Sequence, residues 1–187
     1  MHRIPAFSAN TASAATKTVL AAAIAALVFA GSAAQAQSGL NDLQVAHSAY
    51  TADVIDINYA KLALTKTQNP DVRTFAELMI RDHTAVNEGA GALLKRLGVT
   101  AQDNDFSKAL NEGAAKEMAK LSALSGKAFD KEYAANEQAY HHTVNHIVGD
   151  IWIPAIQNPD VKTFLSQALV TFRVHEEHAN HMVSALR

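Results

Sequence analysis

Three long stretches of this chain set apolar and small residues in alternating steps of four and three. Val72, Ala76, Met79, His83, Val86, Ala90, Leu93 and Leu97 form one seam. Val161, Leu165, Ala168, Phe172, His175, Ala179, Met182 and Leu186 form a second, and Asp130, Ala134, Glu137, His141, Val144, Val148 and Ile151 a third. Such a step keeps one stripe facing a partner along the whole length of a helix. A strand cannot present it, because its side chains alternate with period two. The pattern therefore commits the chain to helices packed lengthwise.

A further helix, about 41–66, is less regular. Leu43, Tyr50, Val54, Ile57 and Leu64 make an apolar face, and Ala49, Asp53, Asp56, Ala60 and Ala63 an adjacent face of small and acidic residues. Gly98 closes the second helix, Ser125–Gly126 precedes the next long one, and Pro154 closes that. A shorter amphipathic segment with Phe106, Leu110, Ala114, Met118 and Leu121 lies between. The expected helices run about 41–66, 70–97, 104–123, 127–152 and 159–186. Two long hairpins joined by a short connecting helix make an all-α, up-and-down four-helix bundle.

Two of these helices open on nearly the same words. "QNPDVRTF" spans Gln68–Phe75 and "QNPDVKTF" spans Gln157–Phe164, differing only at Arg73 and Lys162. Asn69 and Asn158 read as N-caps, Pro70 and Pro159 as first helical residues that need no N–H, and Asp71 and Asp160 as charges suited to the positive helix end. Good capping chemistry used twice accounts for "NPDV". A duplicated hairpin would also account for the flanking Gln and Thr-Phe, and both readings stand.

Residues 1–36 read as a secretory signal peptide. Arg3 and Lys17 precede a twelve-residue apolar run, Val19–Ala30, and Ala34–Ala36 offers small residues for cleavage. The rival, an uncleaved anchor, is disfavoured because a spanning helix needs about 20 apolar residues. Residues 37–187 then form one helical bundle domain, and no second long apolar run puts this mature chain in a membrane. The chain holds 16 Lys and Arg against 18 Asp and Glu, with no basic patch, which argues against nucleic acid as a partner. It has no cysteine, so packing alone must hold it and thiolate metal sites are excluded. An exported, periplasmic location fits these features.

His83, His141 and His175 interrupt three seams that are otherwise apolar or mixed, and a buried histidine needs partners. Asp56 lies 13 residues before Asn69 and His83 lies 14 after it, so both stand about 20 Å from that turn. His141 and His175 each lie 17 residues from Asn158, about 25 Å from the second turn. If the connector runs back along a bundle about 40 Å long, the turns point to opposite ends and the two pairs meet near mid-height. Asp56, His83, His141 and His175 then suit a divalent transition metal such as zinc, copper, nickel or iron. Glu137, one turn from His141, is a fifth candidate ligand or a partner of one. The alternative is a metal-free polar layer that keeps the helices in register in a structural or interaction module.

Other histidines carry less. His178 and His181 with His175, and His142 with His146, have chelating spacings but read as exposed residues. Asp82 reads as facing solvent or orienting its neighbour. No Gly-rich phosphate loop, G-x-S-x-G or H-E-x-x-H occurs, and no Glu-x-x-His of the dinuclear type. These absences lean against an enzyme.

Several of these segments together resemble a known family. Asp56 before Leu62–Ala63, "NPDVRTFAELMIRDHT" (Asn69–Thr84), "FDKEY" (Phe129–Tyr133) followed by His141, and the late His175 resemble the bacterial exported domain-of-unknown-function family 4142. The resemblance covers about Leu40 to Leu186 and implies a ferritin-like helical bundle and export, with no established activity. It points to Asp56, His83, Asp130, Tyr133, His141 and His175. The family usually has Glu where this chain has Asp56. Asp130 and Tyr133 also read as a capping and packing pair. The expected function is therefore an exported bundle with a mid-bundle histidine–carboxylate site, metal-binding and stress- or envelope-related.

Overall fold

The computed structural model describes residues 39–187, and the expected signal peptide lies outside the described residues. Helices α1 (Asp42–Lys66), α2 (Pro70–Leu97), α3 (Asp105–Ala123), α4 (Gly126–His146) and α5 (Pro159–Ala185) form an all-α bundle with no strand among the described residues. Each start is marked in the sequence. Asn69 Oδ1 accepts the backbone N–H groups of Asp71 and Val72 at 2.9 and 3.2 Å. Asn158 does the same for Asp160 and Val161 at the same two distances. Asn41 and Gln44 close a reciprocal capping box on α1. Gly98, at φ 68°, ends α2 in a left-handed conformation that glycine adopts without strain.

α3 is a crossover that runs the length of the bundle. At its start the Asn104 side chain donates to the Gln44 carbonyl at 3.1 Å and to Ser48 Oγ at 3.0 Å. At its end Lys66 Nζ donates to the carbonyls of Ser122 and Leu124 at 2.5 and 2.8 Å. It therefore lies parallel to α1 and returns the chain to the first turn. There Thr67 Oγ1 donates to Asp130 at 2.5 Å. At the opposite end Asp42 accepts the N–H groups of Gln157 and Asn158 at 3.0 and 2.7 Å. The two turns thus sit at opposite ends, and every packed neighbour within the square of α1, α2, α5 and α4 is antiparallel.

Two departures from the sequence reading matter. On α1 the buried residues are Val45, Ser48, Thr51, Ala52, Asp53, Ile55, Asp56, Ile57, Tyr59, Ala60 and Ala63, so Ile57 of the expected apolar face is buried whereas Tyr50 is exposed. α1 touches α2, α3 and α4, so it buries most of its circumference, and small residues allow that close approach. Secondly, α4 continues into a π-helical stretch, Ile147–Trp152, and a last turn, Ile153–Ala155. The Ile153 N–H reaches back to the Val148 carbonyl, five residues away. The wider turn rotates the seam by a residue, so Trp152 is buried and Ile151 is only half-buried.

The core has two apolar halves. One, around Tyr59, Phe75, Met79, Phe129, Tyr133 and Met182, lies toward the first turn. The other, around Leu93, Phe106, Trp152, Ile156 and Leu165, lies toward the second. Between them is a layer of buried polar side chains.

Candidate metal centre

The layer draws on all four long helices. Asp53 and Asp56 come from α1, His83 from α2, Glu137 and His141 from α4, and His175 from α5. None is more than 4 % exposed, and Asp56 and Glu137 are fully buried. One donor atom from each of His83, His141 and His175 lies within 4.8 Å of the others, and the same holds for Asp56, Glu137 and His141. Asp56 Oδ2 is 3.0 Å from His83 Nε2 and 3.2 Å from His141 Nε2. Glu137 Oε2 is 3.6 Å from His141 Nδ1. All five residues singled out from the sequence are therefore in one place.

Each imidazole is held by one nitrogen and turns the other inward. His83 Nδ1 pairs with Asp53 Oδ1 at 2.7 Å, and the ring stacks on Phe172 at 5.2 Å between centroids. His141 Nδ1 is 3.0 Å from the Glu137 carbonyl, one turn back on its own helix, which fixes it as the donor. His175 Nε2 pairs with Asp82 Oδ2 at 3.0 Å. The inward atoms, His83 Nε2, His141 Nε2 and His175 Nδ1, and both carboxylate oxygens of Asp56 and of Glu137 make no well-aligned hydrogen bond, although Asp56 Oδ2 lies 3.0 and 3.2 Å from the first two. A buried polar atom left unpaired costs about 1–3 kcal/mol. The contacts of Asp56 Oδ2 with His83 and His141 still leave His175 Nδ1, Asp56 Oδ1 and the Glu137 oxygens without a hydrogen bond. The layer therefore calls for protons or a cation to satisfy it. Outward nitrogens tied to carboxylates or a carbonyl, with inward nitrogens free, is the arrangement that orients metal-binding histidines.

Charge distributes unevenly here. Burial alone would lower His83, but the Asp56 charge and hydrogen bonding to Asp53 outweigh it and hold the ring well above the usual imidazole range. Burial alone would raise Asp56, but the charges of His83 and His141 hold it below the ordinary carboxylate value. Burial pushes Glu137 well up, and the Asp56 charge adds to this. Burial lowers His141, and lowers His175 to about 4. Burial and charge thus act in opposite senses on neighbouring groups: the charged form of His83 is favoured beside Asp56, whereas Glu137, His141 and His175 are pushed toward their neutral forms.

Asp53 and Asp82 were not singled out as site residues. Asp53 lies one turn before Asp56 on the small-residue face of α1, and that spacing was the available signal. Asp82 orients His175 across the α2–α5 contact, not its sequence neighbour His83, and only the helix packing reveals it. Asp130 stays outside the layer, tied to Thr67. Tyr133 Oη is buried beside Glu137. His142, His146, His178 and His181 are exposed. His142 pairs with Glu176 at 2.9 Å and His146 with Asp150 at 2.7 Å, and neither pair gathers a third ligand among the described residues.

The family described as a domain of unknown function (DUF4142) matches residues 28–182. No curated protein and no solved structure matches the chain.

Proposed function

The chain belongs to the DUF4142 family, which carries no assigned activity, and from that premise we propose that its mid-bundle layer binds one divalent transition metal ion. His83, His141 and His175 supply nitrogen ligands and Asp56 a carboxylate, with Glu137 as a further oxygen ligand or the acceptor beside it. Imidazole and carboxylate without thiolate suit zinc, iron, nickel or copper. The observation that carries this reading is the convergence on one buried spot of three imidazole nitrogens that make no aligned hydrogen bond, with their opposite nitrogens already held. We place the protein in the periplasm on the strength of residues 1–36, with a role in envelope or stress physiology and no catalytic step assigned.

Protein purified without a histidine tag and dialysed against zinc should retain roughly one equivalent per chain. At free zinc about a hundredfold above Kd, binding adds ~2.7 kcal/mol, which raises Tm by roughly 5–10 °C in a chain of this size. No retained metal, and melting indifferent to zinc and chelator, would sink the proposal.

A second reading rests on the 2.7 and 3.0 Å contacts of His83 with Asp53 and Asp56. A charged imidazole bridging two carboxylates holds α1 to α2 without any metal. It leaves the inward nitrogens of His141 and His175 without a role. It predicts that His175→Leu keeps the fold and raises Tm, because an apolar group replaces a buried polar one.

A further inference from the structure

The layer is sealed on nearly every side, so a metal ion needs a way in. Two concave features approach it. One is a narrow cavity of about 30 Å³ among α1, α2 and α5 that includes Asp53 and Asn87 in its walls. That volume holds about two waters, far short of the shell of about six that a small hydrated dication carries. The other is an open groove of about 370 Å³ between α2 and α5, lined by Asp82, Ala85, Val86, Phe164, Gln167 and Thr171 among others. It accommodates a fully hydrated ion.

Asp82 joins this groove to the centre. Its side chain is 21 % exposed, while those of His83 and Asp53 are 5 % exposed and those of Asp56, Glu137, His141 and His175 2 % or less. One Asp82 oxygen takes Arg81 Nε at 2.7 Å and the other pairs with His175 Nε2 at 3.0 Å. The far nitrogen of that same ring, Nδ1, is the unpartnered atom that faces the layer. Asp82 in the groove wall and the His175 imidazole behind it therefore link the groove to the centre, one ring nitrogen held by Asp82 and the other turned to the layer.

We propose that the α2–α5 groove is the approach for a hydrated divalent cation, that Asp82 captures the ion at its floor, and that His175 is the swinging side chain through which it passes inward. This rests on the reading of the layer as a metal centre. Capture needs the Asp82 carboxylate to exchange its exposed Arg81 partner for the ion in the open space above it. Passage needs the His175 ring to turn, which breaks its hydrogen bond to Asp82.

The test is the rate of cobalt(II) uptake by metal-free protein, followed by visible absorbance after rapid mixing, and the rate of release to excess chelator. Asp82→Asn keeps an acceptor for His175 and removes the charge, and should slow uptake about tenfold or more, the scale of electrostatic focusing. Ala85→Phe fills the groove from an exposed position without touching a ligand, and should slow uptake and release by a common factor, leaving equilibrium affinity unchanged. A merely structural defect would move affinity and Tm instead. Asp103→Asn, a surface control on the α2–α3 connection, should change neither rate. Uptake and release within about twofold of wild type in both groove variants, with stoichiometric cobalt still bound, overturns the route and leaves the metal centre standing. A wild-type chain that takes up no cobalt or zinc overturns both.

Discussion

Each residue of the polar layer is set by what holds its outward side. His175 is the clearest case. Burial lowers its ring to about 4, against 6.5 for an ordinary imidazole. Between those values the unfolded chain binds a proton that the folded chain refuses, so this residue weakens folding as pH falls from 6.5 toward 4. In chelator, His175→Gln should therefore gain on wild type through that window, by up to about 3 kcal/mol, as measured by denaturant unfolding at several pH values. A stability difference that stays flat from pH 7 to 4 would contradict the burial argument. His83 and Glu137 behave in the opposite sense. Both shifts favour the protonated form, and a bound cation must displace those protons, so zinc affinity should go on rising with pH above the ordinary imidazole range. Free imidazole ligands would level off near 6.5. The histidines were legible in the sequence because they interrupt apolar or mixed seams, and Asp56 because it lies on the small-residue face at the height of His83 counted from Asn69. Asp53 and Asp82 were not, because a carboxylate on a helix looks the same whether it faces water or a neighbouring imidazole.

Helix starts were the most legible feature of the chain, since capping is local chemistry. Asn69 and Asn158 cap with the same geometry because they head the same words, and Asn69→Ala should cost about 1 kcal/mol in thermal or denaturant unfolding. Helix contacts were less legible. Gly89 and Gly91 sit two residues apart in α2 and look equivalent in sequence. A Cβ on Gly91 meets nothing within 4 Å, so Gly91→Ala should stabilise by about 0.8–1 kcal/mol, the helix-propensity gain. A Cβ on Gly89 would come within 2.9 Å of the Phe164 ring on α5, and Gly89→Ala should lose that gain or reverse it. Equal effects on Tm would refute the close approach of α2 and α5. The π-helical stretch of α4 had no signal in the seam, which runs evenly through it to Ile151. Pro154 marked an end there, but nothing in the seam marks the wider turn, beyond which Trp152 packs against Phe106, 5.6 Å away between ring centroids.

Across the whole molecule, the bundle is two apolar cores separated by one polar layer. Counting residues outward from the two Asn caps predicted a common height for Asp56, His83, His141 and His175, provided the turns lie at opposite ends. α3 meets that condition by running parallel to α1 from Asn104 to Leu124, and Asp42 and Asp130 fasten the turns at either end. Rotation about each helix axis was beyond such counting. That is why the expected face of α1 was only partly right, while the height was right. The central claim is that this layer holds a metal ion, and anomalous diffraction from crystals grown with zinc tests it most directly. The account predicts one strong core peak about 2.0–2.2 Å from His83 Nε2, His141 Nε2, His175 Nδ1 and an Asp56 oxygen. A core without a peak, or zinc only at exposed His142, His146, His178 or His181, would contradict it.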